Sequence, residues 1–231
     1  SERYDLPIYD MTEKYCEDDF KSFDIADALK KNKKRGTIFY ASPFLRTKQT
    51  ALRLLKYLRS KQCIYLVNAF GESYSQVQKQ LRACGETGSY RIPKHLAQMD
   101  DCMRKMIDKT NIVCRRNRCQ PEINWYGDSI KDVLTSKRFS NKYMTDKTIT
   151  SLDDYNDYFR TTLRQLIRGN AENKNVVIVT HGNNVKNSLD VLTPRRFIPN
   201  LSLPPKTCGG VLFEEVAPGK FQVIYSNFLT L

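Results

Sequence analysis

Apolar positions along the chain alternate between a helical and an extended rhythm. Phe20, Phe23, Ile25, Ala28 and Leu29 recur at helical spacing, which predicts an amphipathic helix over residues 20–31 that Gly36 closes. The run Thr37 to Ala41 (TIFYA) is short, β-branched and aromatic, and reads as a strand. It ends at Ser42-Pro43, a helix start with Ser as the N-cap and Pro at the first helical position. The helix that follows is expected to reach about Ser60, with Leu45, Leu52, Leu55 and Leu58 on its inner side. A second apolar run, Cys63 to Phe70, reads as another strand, which Gly71-Glu72-Ser73 ends in a loop.

Residues 74–150 break this regularity with mixed helical fragments, the basic cluster Arg115, Arg116 and Arg118, and a polar stretch from Ser136 to Lys147. Their apolar content is thin, so they read as a cap or insertion over the core and not as a separate domain. From Ser151 the pattern sharpens. Ser151-x-x-Asp154 resembles a capping box, and Leu152, Tyr155, Phe159, Leu163 and Leu166 follow at helical spacing as far as Gly169. Asn175 to Thr180 (NVVIVT) is a continuous apolar run of the kind buried on both faces of a parallel sheet. A helix through Val185 to Leu192 follows, then two strands, Gly210 to Val216 and Phe221 to Asn227, joined at Pro218-Gly219. Alternation of this kind predicts an α/β fold, a mostly parallel sheet flanked by helices, in one domain of 231 residues with the cap at 74–150.

Composition narrows the classes. At 40% hydrophobic residues the chain can close a sizeable core, and no apolar run reaches the length of a membrane span. Seven cysteines at irregular spacings form no CxxC pair, which makes a metal site improbable and suits reduced thiols in the cytoplasm, although disulfides stay open. The net charge of +13 is unevenly spread: residues 1–29 hold nine acidic and three basic side chains, residues 30–120 five and twenty-one. A cationic middle attracts phosphorylated ligands, nucleic acid or anionic membrane, and sign alone does not choose among them. Runs such as Lys30, Lys31, Lys33, Lys34 and Arg35 are most often solvated helix ends.

Open α/β sheets bind ligands beyond the carboxyl ends of their strands. At one such end, Ala41-Ser42-Pro43-Phe44-Leu45-Arg46 sets a guanidinium in a first helical turn, where it can clamp phosphate in bidentate fashion. At another, Val179-Thr180-His181-Gly182 puts one of the chain's two histidines beside a small residue that leaves room for a ligand. Either alone reads more simply as a surface arginine or a packed histidine.

Together, a strand followed by SPFLRTKQTA and, about 130 residues later, a strand ending VVIVTHG closely resemble the histidine phosphatase superfamily, which includes the phosphoglycerate mutases. The resemblance covers about residues 1–70 and 150–231. In that family the first strand ends in Arg-His-Gly-Glu, and its histidine attacks phosphorus; no such triplet occurs here. The opening Ser1-Glu2-Arg3-Tyr4-Asp5 looks like the tail of the variant found in the suppressor-of-T-cell-receptor-signalling phosphatases, with Ser where that branch has Gly. Arg196 to Leu203 resembles a later loop of the same branch. The expectation is therefore that the chain starts just after the catalytic Arg-His. The missing strand would lie within the sheet of that fold, and its removal would leave backbone groups unpaired.

What the resemblance implies is a phosphatase that hydrolyses phosphomonoesters through a phosphohistidine, needing no metal or cofactor. The absent histidine would be the nucleophile. Arg46, His181 and Arg3 would hold the phosphoryl oxygens, and Glu72, 26 residues after Arg46, is the candidate that protonates the leaving oxygen and later activates water. His95 is a poor substitute nucleophile, since it follows Pro93-Lys94 with no buried strand before it. A mutase is less expected, because the cap shows no sugar-phosphate pocket. The alternative is a pseudophosphatase that keeps Arg46 and His181 to bind a phosphate ligand without turnover. A nucleic-acid-binding protein is suggested by charge alone, without a recognisable motif, so neither nucleic acid nor membrane is expected as a partner. The partner is a phosphorylated substrate, a small molecule or a phosphoprotein, and Arg115, Arg116 and Arg118 favour an acidic one.

Overall fold

The computed structural model describes residues 36–72, 90–92, 133, 136–145, 147–170, 174–193 and 209–226, apart from the side chains of residues 45, 90–92 and 225. The helix expected over 20–31, Arg3, His95, the cluster Arg115, Arg116 and Arg118, the segment 196–203, most of the 74–150 insertion and the side chain of Leu45 lie outside the described residues.

In chain order the elements are β1 (Thr37–Ala41), α1 (Leu45–Tyr57), β2 (Ile64–Val67), β3 (Tyr90–Ile92), β4 (Phe139–Tyr143), β5 (Lys147–Ile149), α2 (Leu152–Asn170), β6 (Asn175–Val179), α3 (Gly182–Leu192), β7 (Val211–Ala217) and β8 (Lys220–Ser226). The main sheet has the order β4-β2-β1-β6, and all its neighbours are parallel. β1 is in the middle because its residues serve both faces. Phe39 and Ala41 pack with Ala51, Leu54 and Leu55 of α1 on one side, while Tyr40 joins Phe159, Leu163 and Leu166 of α2 on the other. β6 splits in the same way, Val177 and Val179 toward α1, Val176 and Ile178 toward α2. A run of consecutive apolar residues is what a strand covered on both faces requires. The fold is thus α/β, a parallel sheet flanked by helices.

Four expectations are corrected in detail. α1 begins at Leu45 with Phe44 in the capping position and no side-chain cap, so Ser42 is not its N-cap. The strand expected over 63–70 stops at Val67, where Asn68–Phe70 turn into a single tight helical turn closed by a bond from the Gly71 amide to the Asn68 carbonyl. Phe139–Tyr143, inside the stretch read as cap, is instead the fourth strand of the main sheet, pairing Phe139 with Ile64 and Tyr143 with Val67 across a register shift. Its polar residues suit an edge position, where exposed charges such as Lys142 discourage further pairing. β6 is partly exposed at every position and not fully buried.

The α2 start matches its sequence signature closely: the Ser151 hydroxyl accepts the Asp154 amide at 3.1 Å and the Asp154 carboxylate accepts the Thr150 amide at 3.1 Å. α3 begins three residues earlier than its apolar pattern indicated, with His181 as its capping residue. β7 and β8 form their own antiparallel pair through a turn in which Gly219 takes a positive φ of 72°, a backbone conformation that favours glycine. Among the described residues no helix is long and apolar enough to cross a membrane.

Candidate functional site

Because the sheet is parallel, the carboxyl ends of β1, β2 and β6 share one edge, and the residues that follow them meet there. After β1 come Ser42 and, in the first turn of α1, Arg46. After β2 and its tight turn comes Glu72. After β6 comes His181. The Ser42 amide donates to the Val179 carbonyl at 2.9 Å, which extends the β1–β6 pairing one step into the site.

His181 is 5% exposed, and both ring nitrogens are engaged. Nε2 lies 2.9 Å from the Ser42 hydroxyl, which also accepts the Phe44 amide at 3.3 Å. Nδ1 lies 2.9 Å from Arg46 Nη2 and 3.2 Å from Glu72 Oε2. Phe44, wholly buried, stands edge-on against the imidazole with ring centroids 5.1 Å apart and fixes its plane. Arg46 Nη2 donates to Glu72 Oε2 at 2.7 Å.

These contacts imply two proton arrangements. A guanidinium only donates, so a neutral imidazole accepts from Arg46 at Nδ1 and presents its own proton from Nε2 to Ser42. A protonated imidazole has a hydrogen on Nδ1 as well, and among the described residues Glu72 Oε2, 3.2 Å away, can accept it. The ring therefore exchanges Arg46 for Glu72 as its Nδ1 partner when it gains a proton. The group as a whole is a cationic guanidinium, an imidazole and a carboxylate within hydrogen-bonding distance, placed where two helices begin and their amides favour an anion.

Below the site is a buried polar cluster. The Tyr155 hydroxyl, from α2, lies 2.9 Å from Asn184 Oδ1 and also donates to the Gly71 carbonyl. Asn184 Nδ2 donates to the same carbonyl at 2.7 Å and to the Thr180 hydroxyl at 3.0 Å, and Thr180 donates to the Phe70 carbonyl at 2.7 Å. Burial pushes the Tyr155 hydroxyl well above the usual tyrosine range, and the negative charge of Glu72 pushes it further, against the opposing bond from Asn184. It remains a proton donor throughout the stability range of a protein.

No protein-family model and no curated protein matches this chain. The site therefore has to be read from its own chemistry. Of the sequence-stated candidates, Arg46, Glu72 and His181 come together, and Arg3 lies outside the described residues. Among the described residues no cluster of three or more His, Cys, Asp or Glu is arranged to hold a metal ion.

Sequence reasoning overlooked Ser42, Asn184 and Tyr155. In the sequence Ser42 reads as a helix cap and Tyr155 as core; Tyr155 is buried as expected, but its hydroxyl has a polar task. Asn184 carried the one signal that pointed inward, an amide three residues after a strand-end histidine, on the turn of helix that faces the sheet.

Proposed function

We propose that this chain provides the phosphate-holding groups of a phosphomonoester hydrolase that works through a phosphohistidine, with the nucleophilic histidine supplied by an Arg-His preceding Ser1. The observation that carries the reading is the meeting of Arg46, Glu72 and His181 at one sheet edge, since Arg46 and His181 are the positions that the SPFLRTKQTA and VVIVTHG motifs mark in the histidine phosphatase superfamily and Glu72 is the carboxylate proposed beside them. Arg46 and His181 are donors with fixed frames, one held by helix α1, the other by Ser42 and Phe44. Donors placed in advance toward developing charge are the main source of stabilisation in such reactions.

In the first step the histidine attacks phosphorus, the bond from phosphorus to the leaving oxygen breaks, and Glu72 gives that oxygen its proton. In the second, the Glu72 carboxylate takes a proton from water, which attacks phosphorus and releases inorganic phosphate and the free histidine. Arg46 and His181 hold the non-bridging oxygens in both. The substrate class is a phosphomonoester, on a small molecule or a protein.

A second reading is a phosphate-binding pseudoenzyme, which would use the same Arg46 and His181 to hold a phosphate without turnover. The two are separated by expressing the protein with its upstream coding sequence and assaying an aryl phosphate. Turnover that falls at least about a hundredfold in His181→Ala, the scale of losing one preplaced oxyanion donor, supports the hydrolase. Phosphate binding without turnover, or a different residue where the histidine should stand, supports the pseudoenzyme. Absence of both turnover and phosphate binding overturns both readings.

A further inference from the structure

The buried cluster beneath the site is larger than the fold needs. Tyr155 and Asn184 are 2% and 0% exposed, and polar groups so deeply placed are costly unless every one of them is bonded. Apolar residues would fill the same space more cheaply. Tyr155 and Asn184 both bond the Gly71 carbonyl, and Thr180, which Asn184 also holds, bonds the Phe70 carbonyl; these two consecutive carbonyls immediately precede Glu72.

We infer that Asn184 and Tyr155 are positioning residues that set the Glu72 carboxylate against His181 and Arg46 by clamping the Gly71 carbonyl. The clamp is three-sided. From above, a bond to the Asn68 carbonyl closes the turn on the Gly71 amide at 3.0 Å. On a second side the Phe44 ring packs so closely that a Cβ on Gly71 would stand 3.3 Å from it, and 3.1 Å from the Asn68 carbonyl oxygen. On the third are the Asn184 amide and the Tyr155 hydroxyl. Asn184 spends both of its N–H groups, on Gly71 and Thr180, and its Oδ1 lies 2.9 Å from the Tyr155 hydroxyl, whose one proton is shared between that oxygen and the Gly71 carbonyl.

The clamp also ties Glu72 to His181 in particular. Asn184 is in the first turn of α3, and its own amide donates to the His181 carbonyl at 2.9 Å. Thr180, which holds the Phe70 carbonyl, directly precedes His181. One five-residue segment, 180–184, thus carries the histidine and the pins for the backbone beside its carboxylate partner. Tyr155, from α2, locks that segment to the turn. A side chain with rotamer freedom is thereby held on a backbone with little, which is how a carboxylate is kept at a productive distance.

This inference rests on Arg46, Glu72 and His181 forming one site, and not on turnover. The chain has two histidines, His95 and His181, so nitrogen-labelled imidazole NMR of the full chain reads His181 directly with His95 as an internal reference. Among the described residues, the groups set against His181 include Glu72, Arg46, Ser42 and Phe44. Glu72→Gln removes the anion beside the imidazole and keeps the Arg46 cation there, so the titration midpoint of His181 falls, by about one unit or more. Tyr155→Phe is expected to move it in the same direction by at least about a third of that shift, and to add nothing in the Glu72→Gln background, as coupled residues should. Equal shifts in both backgrounds, or none in Tyr155→Phe where Glu72→Gln gives one, overturn the inference. If Tyr155→Phe does not fold by circular dichroism, Asn184→Ser is read by the same cycle. Inorganic phosphate added to the same samples tests the proposed function separately: a His181 signal indifferent to phosphate sinks the phosphate-site reading and leaves the positioning result standing.

Discussion

Replacing Glu72 by glutamine should tighten the binding of inorganic phosphate. The Glu72 carboxylate is 2.7 Å from Arg46 and 3.2 Å from Nδ1 of His181, so it engages donors that the proposed anion requires. A phosphate must displace that carboxylate or bind beside it against like charge. Two unit charges about 4 Å apart interact by about 4 kcal/mol at an effective dielectric of 20 and by about 1 kcal/mol in water. Glu72 and Arg46 keep 15% and 24% of their side-chain surface in contact with solvent, which places this pair between the two limits. A net gain of about 1–2 kcal/mol follows, or a fall in Kd of roughly 5- to 30-fold. Calorimetric titration with phosphate at fixed pH and ionic strength measures it, the latter held constant because salt screens the effect. Unchanged or weaker binding in Glu72→Gln would refute the reasoning, since carboxylate and anion would then not compete for the same donors.

Two further outcomes test the fold beneath the site. Phe159 is 1% exposed and packs its ring against Phe70 at 6.0 Å, so Phe159→Ala should cost about 3–5 kcal/mol in denaturant unfolding; a loss below about 1 kcal/mol would mean that α2 is not seated on the sheet. Tyr40 is pushed up to about 12, chiefly by burial and by Tyr143 beside it, so its stabilising proton is fully retained below the ordinary tyrosine value of 10.0 and stability is lost as pH rises from there toward 12. Tyrosinate absorbance followed with circular dichroism should show this tyrosine ionising only as the chain unfolds, and ionisation in the folded state near 10 would contradict it.

The sequence made the carboxyl edge of the sheet legible because its strong signals are local. TIFYA and NVVIV are short, mostly apolar β-branched or aromatic runs that read as strands, and the residues that follow them, Arg46 and His181, inherit their place from the strand ends. Ser151 and Asp154 start their helix as the capping pattern says, through bonds spanning three and four residues. β4 was not legible. FSNKY has two apolar residues separated by three polar ones and a register shift against β2, so neither the alternation nor the run length of a strand survives. Ser42 misled for a different reason: the same hydroxyl that suits a helix cap is equally able to bond an imidazole 139 residues away, and local chemistry does not choose between them.

What the chain's sequence by itself determined is therefore the alternation of strands and helices, the parallel sheet, and the strand ends at which charged groups would stand. Those follow from periodicity and from the few conformations a backbone allows. Only the tertiary structure decided which groups meet: that Glu72, on a loop of no distinctive pattern, reaches both Arg46 and His181, that Ser42 turns to the histidine, and that Tyr155 and Asn184 converge on the Gly71 carbonyl. Contacts between residues tens of positions apart depend on the packing of α1, α2 and α3 around one sheet. No window of sequence carries that information, because each of these side chains would satisfy its hydrogen bonds equally well with water until the fold removes it.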